Sequence, residues 1–126
     1  MAQLTGHAIL VVEDEAIIAL DIADTLERAG ARVTISYWLD DAREVIDAHD
    51  WSAAVLDYEL RDGDCSPLCE HLRTRGVPFV VHTGHDELPS NYLGGVQVLK
   101  PASGEALVET LEELLKPMHE RSVLVD

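Results

Sequence analysis

Positive charge is what this chain has least of. Nine Lys and Arg stand against 24 Asp and Glu, a formal net charge of −15 over 126 residues. A surface of that sign is repelled by phosphate backbones, which argues against direct nucleic-acid binding. Cysteine is scarce as well. Cys65 and Cys69 sit four apart, on one face if the segment is helical, but two thiols do not make a zinc site. They are expected to be free and partly buried in a reducing cytoplasm. The six histidines have no metal-ligand spacing, although His82 and His85 flank Thr83. No apolar run approaches the roughly 20 residues of a membrane span, and Met1-Ala2-Gln3-Leu4-Thr5 is not a basic, apolar leader. A soluble cytoplasmic protein with no membrane contact is expected. Internal repeats and low-complexity linkers are also missing. The chain therefore reads as one domain over residues 1–126, with a core from about 6 to 116 and no output domain.

What is present is a regular alternation. Hydrophobic residues make up 47% of the chain, ample for a core. Short apolar runs alternate with amphipathic stretches five times. Ala8–Val12 is the first strand. A helix over about Ala16 to Ala29 follows, with Ile18, Ile22 and Leu26 on one face and Gly30 as its stop. Arg32–Ser36 is the second strand, and a helix over about Leu39 to His49 begins at the acids Asp40 and Asp41. Ala53-Ala54-Val55-Leu56 leads into Asp57, after which Asp62-Gly63 signals a turn. Ser66 as cap, Pro67 at the first helical position and Gly76 at the end frame the third helix. Phe79–Thr83 and Val96–Leu99 are the last two strands. Between them Pro89 and Gly94-Gly95 leave room only for a short or degenerate fourth helix. Ser103 caps a final helix carrying Leu107, Leu111 and Leu114, which Lys116-Pro117 ends. Five βα units predict a flavodoxin-like α/β three-layer sandwich around a parallel sheet of order 2-1-3-4-5. Ile18 and Leu111 are assigned to its core rather than to a dimer face.

Polar or charged residues close these apolar runs, and a carboxylate at the end of a buried strand is costly without a use. Glu13 and Asp14 close the first strand, Asp57 the third, Thr83 the fourth and Lys100 the fifth. The crevice of such a fold lies beyond the carboxyl ends of strands one and three, where Asp14 and Asp57 stand. Crowded carboxylates repel, and a hard divalent cation relieves them. Mg²⁺ (or Mn²⁺) suits one or two carboxylates, waters and phosphate oxygens. Glu13, Asp14, Asp57 and the Glu59 backbone carbonyl are the expected ligands. Asp57 is the expected nucleophile toward a phosphoryl group, with Thr83 and Lys100 neutralising its oxygens.

The set Val12-Glu13-Asp14-Glu15, Val55-Leu56-Asp57 with Asp62-Gly63, Thr83-Gly84 and Leu99-Lys100-Pro101 resembles the receiver domain of two-component response regulators over nearly the whole chain. That resemblance implies Asp57 as phosphoacceptor, Glu13 and Asp14 as metal ligands, Thr83 as switch hydroxyl and Lys100 as phosphate contact. It implies a histidine kinase or histidine phosphotransfer protein as donor. It also implies a stand-alone signalling protein, not an enzyme in the ordinary sense, that acts by changed protein binding or as a phosphorelay intermediate or sink. The downstream protein is unknown, and either a monomer or a phosphorylation-dependent dimer is allowed. Receivers usually carry an aromatic switch residue three positions before the lysine, where this chain has Gln97. Together with the short interval from Thr83 to Lys100, this resembles the alphaproteobacterial receivers with a Phe-Ala-Thr-Gly run. Phosphorylation is expected to reorder the stretch from Thr83 to Gly95. A phosphorylation-independent, receiver-like scaffold is the alternative. A flavin-binding protein is disfavoured because Glu13-Asp14-Glu15 would repel its phosphate, and an aspartate-nucleophile phosphatase because Glu59 replaces its second Asp.

Overall fold

The computed structural model of the chain describes residues 3–83, 95–99 and 104–116. Over these it contains strands β1 (Ala8–Val12), β2 (Arg32–Ser36), β3 (Ala53–Asp57), β4 (Glu59–Leu60), β5 (Gly63–Asp64), β6 (Phe79–Thr83) and β7 (Val96–Leu99). The helices are α1 (Ala16–Arg28), α2 (Leu39–Ala48), α3 (Ser66–Thr74) and α4 (Gly104–Leu115). The five long strands form one parallel sheet in the order β2-β1-β3-β6-β7. Counted along the chain without the two-residue strands, this is the expected 2-1-3-4-5. The proposed fourth helix and the Ser103 cap lie outside the described residues.

The continuous apolar runs of β1, β3 and β6 are what a parallel sheet covered on both faces demands. Their side chains alternate between two layers. Leu10, Val12, Ala54, Leu56, Phe79 and Val81 pack toward α2 and α3 with Ile46, Leu68 and Leu72. Ile9, Val11, Ala53, Val55 and Val80 pack toward α1 and α4 with Ile22, Leu26, Leu107 and Leu111. Leu111 is fully buried there and Ile18 packs against the layer, so both serve the core.

Local signals explain most boundaries. Gly30 follows α1 with φ of 101°, and a Cβ at that position would collide with Thr5. This is where a glycine stop is required. Asp40 and Asp41 occupy the first turn of α2. At α3 the expected cap moves by one residue. Cys65 holds the N-cap position, and Ser66 is the first helical residue with Pro67 beside it. The capping oxygen is supplied by Asp64 instead. Its Oδ1 accepts the Ser66 N–H at 3.0 Å and the Ser66 hydroxyl at 2.6 Å. Cys65 and Cys69 are more deeply buried than expected, both at 0% exposure, with Sγ atoms 3.8 Å apart. Among the described residues, no helix is long and apolar enough to cross a membrane.

Candidate functional site

β1 and β3 are neighbours in the sheet, and the order reverses between them. Whatever stands just past their carboxyl ends faces the crevice left by that reversal. Glu13 and Asp14 follow β1 directly and Asp57 is the last residue of β3. One oxygen from each of the three carboxylates lies within 4.8 Å of the others. Glu13 is 2% exposed and Asp57 6%, so the cluster sits largely out of water.

The surrounding contacts hold these groups. Glu13 Oε2 accepts the Glu15 N–H at 3.2 Å, and the Glu13 N–H donates to the Ser36 carbonyl at 3.1 Å. Asp14 Oδ2 accepts the Arg61 backbone N–H at 2.7 Å and lies 3.7 Å from the Arg61 Nε. That guanidinium is mostly exposed, so it only partly offsets three clustered negative charges. Three hard oxygen donors gathered at one point fit a small divalent cation of the Mg²⁺ type.

The segment after Asp57 is more structured than a polar loop. β4 and β5 form a small antiparallel hairpin in which Glu59 pairs with Asp64 and Leu60 with Gly63. The Asp62-Gly63 dipeptide was the legible sign of its turn. What sequence reasoning missed is where the hairpin is tied. One side reaches Asp14 through Arg61, and the other reaches α2 through Asp62, whose carboxylate accepts the Leu39 N–H at 3.1 and 3.2 Å. Both links join residues far apart in the chain, so no local pattern announces them.

The remaining expected site residues divide by position. Thr83 ends β6 and is fully buried at the same edge of the sheet as Asp57. Glu59 stands two residues past Asp57 on β4, its side chain exposed. Gln97, on β7, is partly buried and pairs with Val81. Lys100, Gly84 and His85 lie outside the described residues. His82 borders the site in a way that spacing alone did not convey: it is the register partner of Asp57 across β3 and β6.

No protein-family model and no curated protein matches the chain. Solved structures do. A two-component response regulator from Clostridium difficile is 26% identical, with a TM-score of 0.81, over 90% of this chain and 99% of that one. The N-terminal domain of a response regulator/sensory box/GGDEF protein from Carboxydothermus hydrogenoformans is 27% identical, with a TM-score of 0.73, over 85% of this chain and 94% of that domain. A response regulator from Thermotoga maritima in complex with Mg²⁺–BeF shares the fold at 20% identity, with a TM-score of 0.77, over 86% of this chain and 99% of that one. The chain thus has the flavodoxin-like, CheY-like fold. That fold is the one seen in response-regulator receiver domains, to which the chain is similar over most of its length.

Proposed function

We propose that the chain accepts a phosphoryl group on Asp57 in a Mg²⁺-dependent reaction, from a histidine kinase or histidine phosphotransfer protein. The observation that carries this reading is the cluster of Glu13, Asp14 and Asp57 at the switch between β1 and β3. An Asp57 carboxylate oxygen attacks phosphorus, an acyl–phosphate bond forms, and the P–N bond to the donor imidazole breaks with its electron pair leaving on nitrogen. Glu13, Asp14 and Asp57, with the Glu59 carbonyl, would hold the cation. Such a cation would supply charge neutralisation to the phosphoryl transfer. Thr83 offers a hydroxyl to a phosphoryl oxygen from the end of β6, and Lys100 an ammonium to another.

The output is a change in protein binding, or onward transfer of the phosphoryl group, in the cytoplasm. Gln97 in place of the usual aromatic residue suits switching that does not turn a ring inward, as in the receivers with a Phe-Ala-Thr-Gly run. The test is intact mass after incubation with acetyl phosphate and Mg²⁺. One added phosphoryl group, lost in Asp57→Asn and without metal, is expected. No adduct from either acetyl phosphate or a phosphohistidine donor would overturn the reading and favour a phosphorylation-independent scaffold.

A further inference from the structure

The corner between β2 and α2 is held from two sides. On the strand side, the Ser36 carbonyl accepts the Glu13 N–H at 3.1 Å, and the Ser36 hydroxyl donates to the Trp38 carbonyl at 3.3 Å. That side is fixed to the sheet. On the helix side, Trp38 takes the N-cap position of α2 with extended backbone (φ −133°, ψ 144°) and brings no capping oxygen. The Trp38 carbonyl accepts the Ala42 N–H at 3.0 Å, the first bond inside the helix. The Leu39 N–H has no partner within α2. Asp62 supplies one from the turn of the β4–β5 hairpin, its two oxygens lying 3.1 and 3.2 Å from that nitrogen. The Leu39 side chain leans on the same turn: its Cδ2 stands 3.5 Å from where a Cβ on Gly63 would be.

The hairpin is small, two residues in each strand, with Arg61 and Asp62 as its turn. Arg61 ties it to the acid cluster. Its backbone N–H donates to Asp14 Oδ2 at 2.7 Å, and its Nε lies 3.7 Å from the same oxygen. Two consecutive residues thus join an acid of the cluster to the cap of α2. A cation drawn to Asp14 competes for that oxygen and repels the Arg61 guanidinium. A two-residue turn leaves little slack to absorb the resulting shift. Trp38 stands where the shift would emerge, a large apolar side chain left 44% exposed at the corner.

We propose that this turn couples Asp14 to the β2–α2 corner: when the acid cluster takes up a cation, the hairpin shifts, the Asp62 cap leaves the Leu39 N–H, and Trp38 changes surroundings. Occupation of the site is thereby displayed by an exposed indole at the start of α2. The proposal rests on the reading of Glu13, Asp14 and Asp57 as a cation site, and not on phosphorylation.

The test follows amide exchange of Leu39 against that of Leu111 in α4, and the two indole N–H signals in ¹H–¹⁵N spectra, during a Mg²⁺ titration. Mg²⁺ is expected to speed Leu39 exchange about 2- to 30-fold, the factor to which loss of a cap corresponds. The Trp38 indole signal is expected to shift, and that of Trp51, whose N–H is held by the Val45 carbonyl at 3.2 Å, to stay. Mg²⁺ binding by calorimetry with both Leu39 exchange and the Trp38 signal unmoved would overturn the proposal. In Asp62→Ala, Leu39 should exchange fast with or without Mg²⁺, at unchanged Mg²⁺ affinity. A Trp38 response as large in Asp62→Ala as in wild type would overturn the hairpin as its carrier. Asp14→Ala, which removes the oxygen holding the Arg61 N–H, should speed Leu39 exchange in the metal-free protein, and unchanged exchange there would overturn the coupling. If calorimetry finds no Mg²⁺ binding, the cation reading fails, while Asp14→Ala still decides whether the turn joins Asp14 to α2.

Discussion

The Asp14 carboxylate accepts the backbone N–H of Arg61 at 2.7 Å, across a separation of 47 residues in the chain. This bond fastens the hairpin that follows Asp57 to the acid rim that precedes α1. A conformational demand made on Asp14 is therefore also made on the hairpin, and through Asp62 on the start of α2.

The Arg61 guanidinium and a bound cation would compete for the same Asp14 oxygen. With Arg61 mostly exposed, the competition is weak. Arg61→Gln should raise Mg²⁺ affinity by about two- to fivefold, read by calorimetry, with the backbone bond to Asp14 retained. A drop in affinity would show that the guanidinium supports the site instead.

Three carboxylates crowded into one largely buried space repel one another in the absence of metal. Asp57→Asn should raise the metal-free melting temperature by about 2–5 °C, as a gain of roughly 1 kcal/mol does in a domain of this size. It should also shrink the further rise produced by Mg²⁺, because that rise follows the affinity for the folded state. Calorimetric scans with and without Mg²⁺ check both parts.

Asp62 acts at a distance as a cap for α2, accepting the Leu39 N–H that the helix leaves without an internal partner. Asp62→Ala should cost about 0.5–2 kcal/mol in urea denaturation, the usual range for a lost cap. Formation of the Asp57 adduct should be little changed, since Asp62 does not belong to the acid cluster.

The Cys65 thiol is pushed well above its ordinary range, first by its hydrogen bond with Cys69, then by burial and the nearby negative charge of Asp64. It keeps its proton in the folded state while an unfolded chain releases it above about pH 9. The folded state then binds more protons, so stability should fall as pH rises past that point, by up to about 1.4 kcal/mol per pH unit. Below it the effect vanishes. Cys65→Ala should flatten the alkaline limb of a stability–pH profile, and native Cys65 should resist thiol reagents.

Gly95 lies against Phe79, and a Cβ there would overlap the ring. Phe79 is 1% exposed in the α2–α3 layer and has little freedom to move aside. Gly95→Ala should destabilise by about 1–3 kcal/mol, the range for overpacking a filled core. Equilibrium unfolding measures it.

The sequence by itself determined the alternation of elements and the edge at which the chemistry gathers. Apolar runs of four or five residues closed by Glu13-Asp14, Asp57 and Thr83 can satisfy burial on both faces only as strands of a parallel sheet. Strand ends must then share a rim. Helix limits at Gly30 and Gly76 were legible because they rest on local backbone chemistry, and the α3 cap shifted by one residue because Asp64 offered a better-placed oxygen than Ser66. Tertiary structure decided everything that depends on register and on contacts between distant segments. The hairpin at Glu59–Asp64 forms where Asp14 and Leu39 offer partners, neither of them near in sequence. His82 reads as an isolated histidine until β6 is laid against β3, when it becomes the neighbour of Asp57. Register has that power because a slip of one residue would send His82 to the opposite face of the sheet, and only the packing of both apolar layers together forbids the slip.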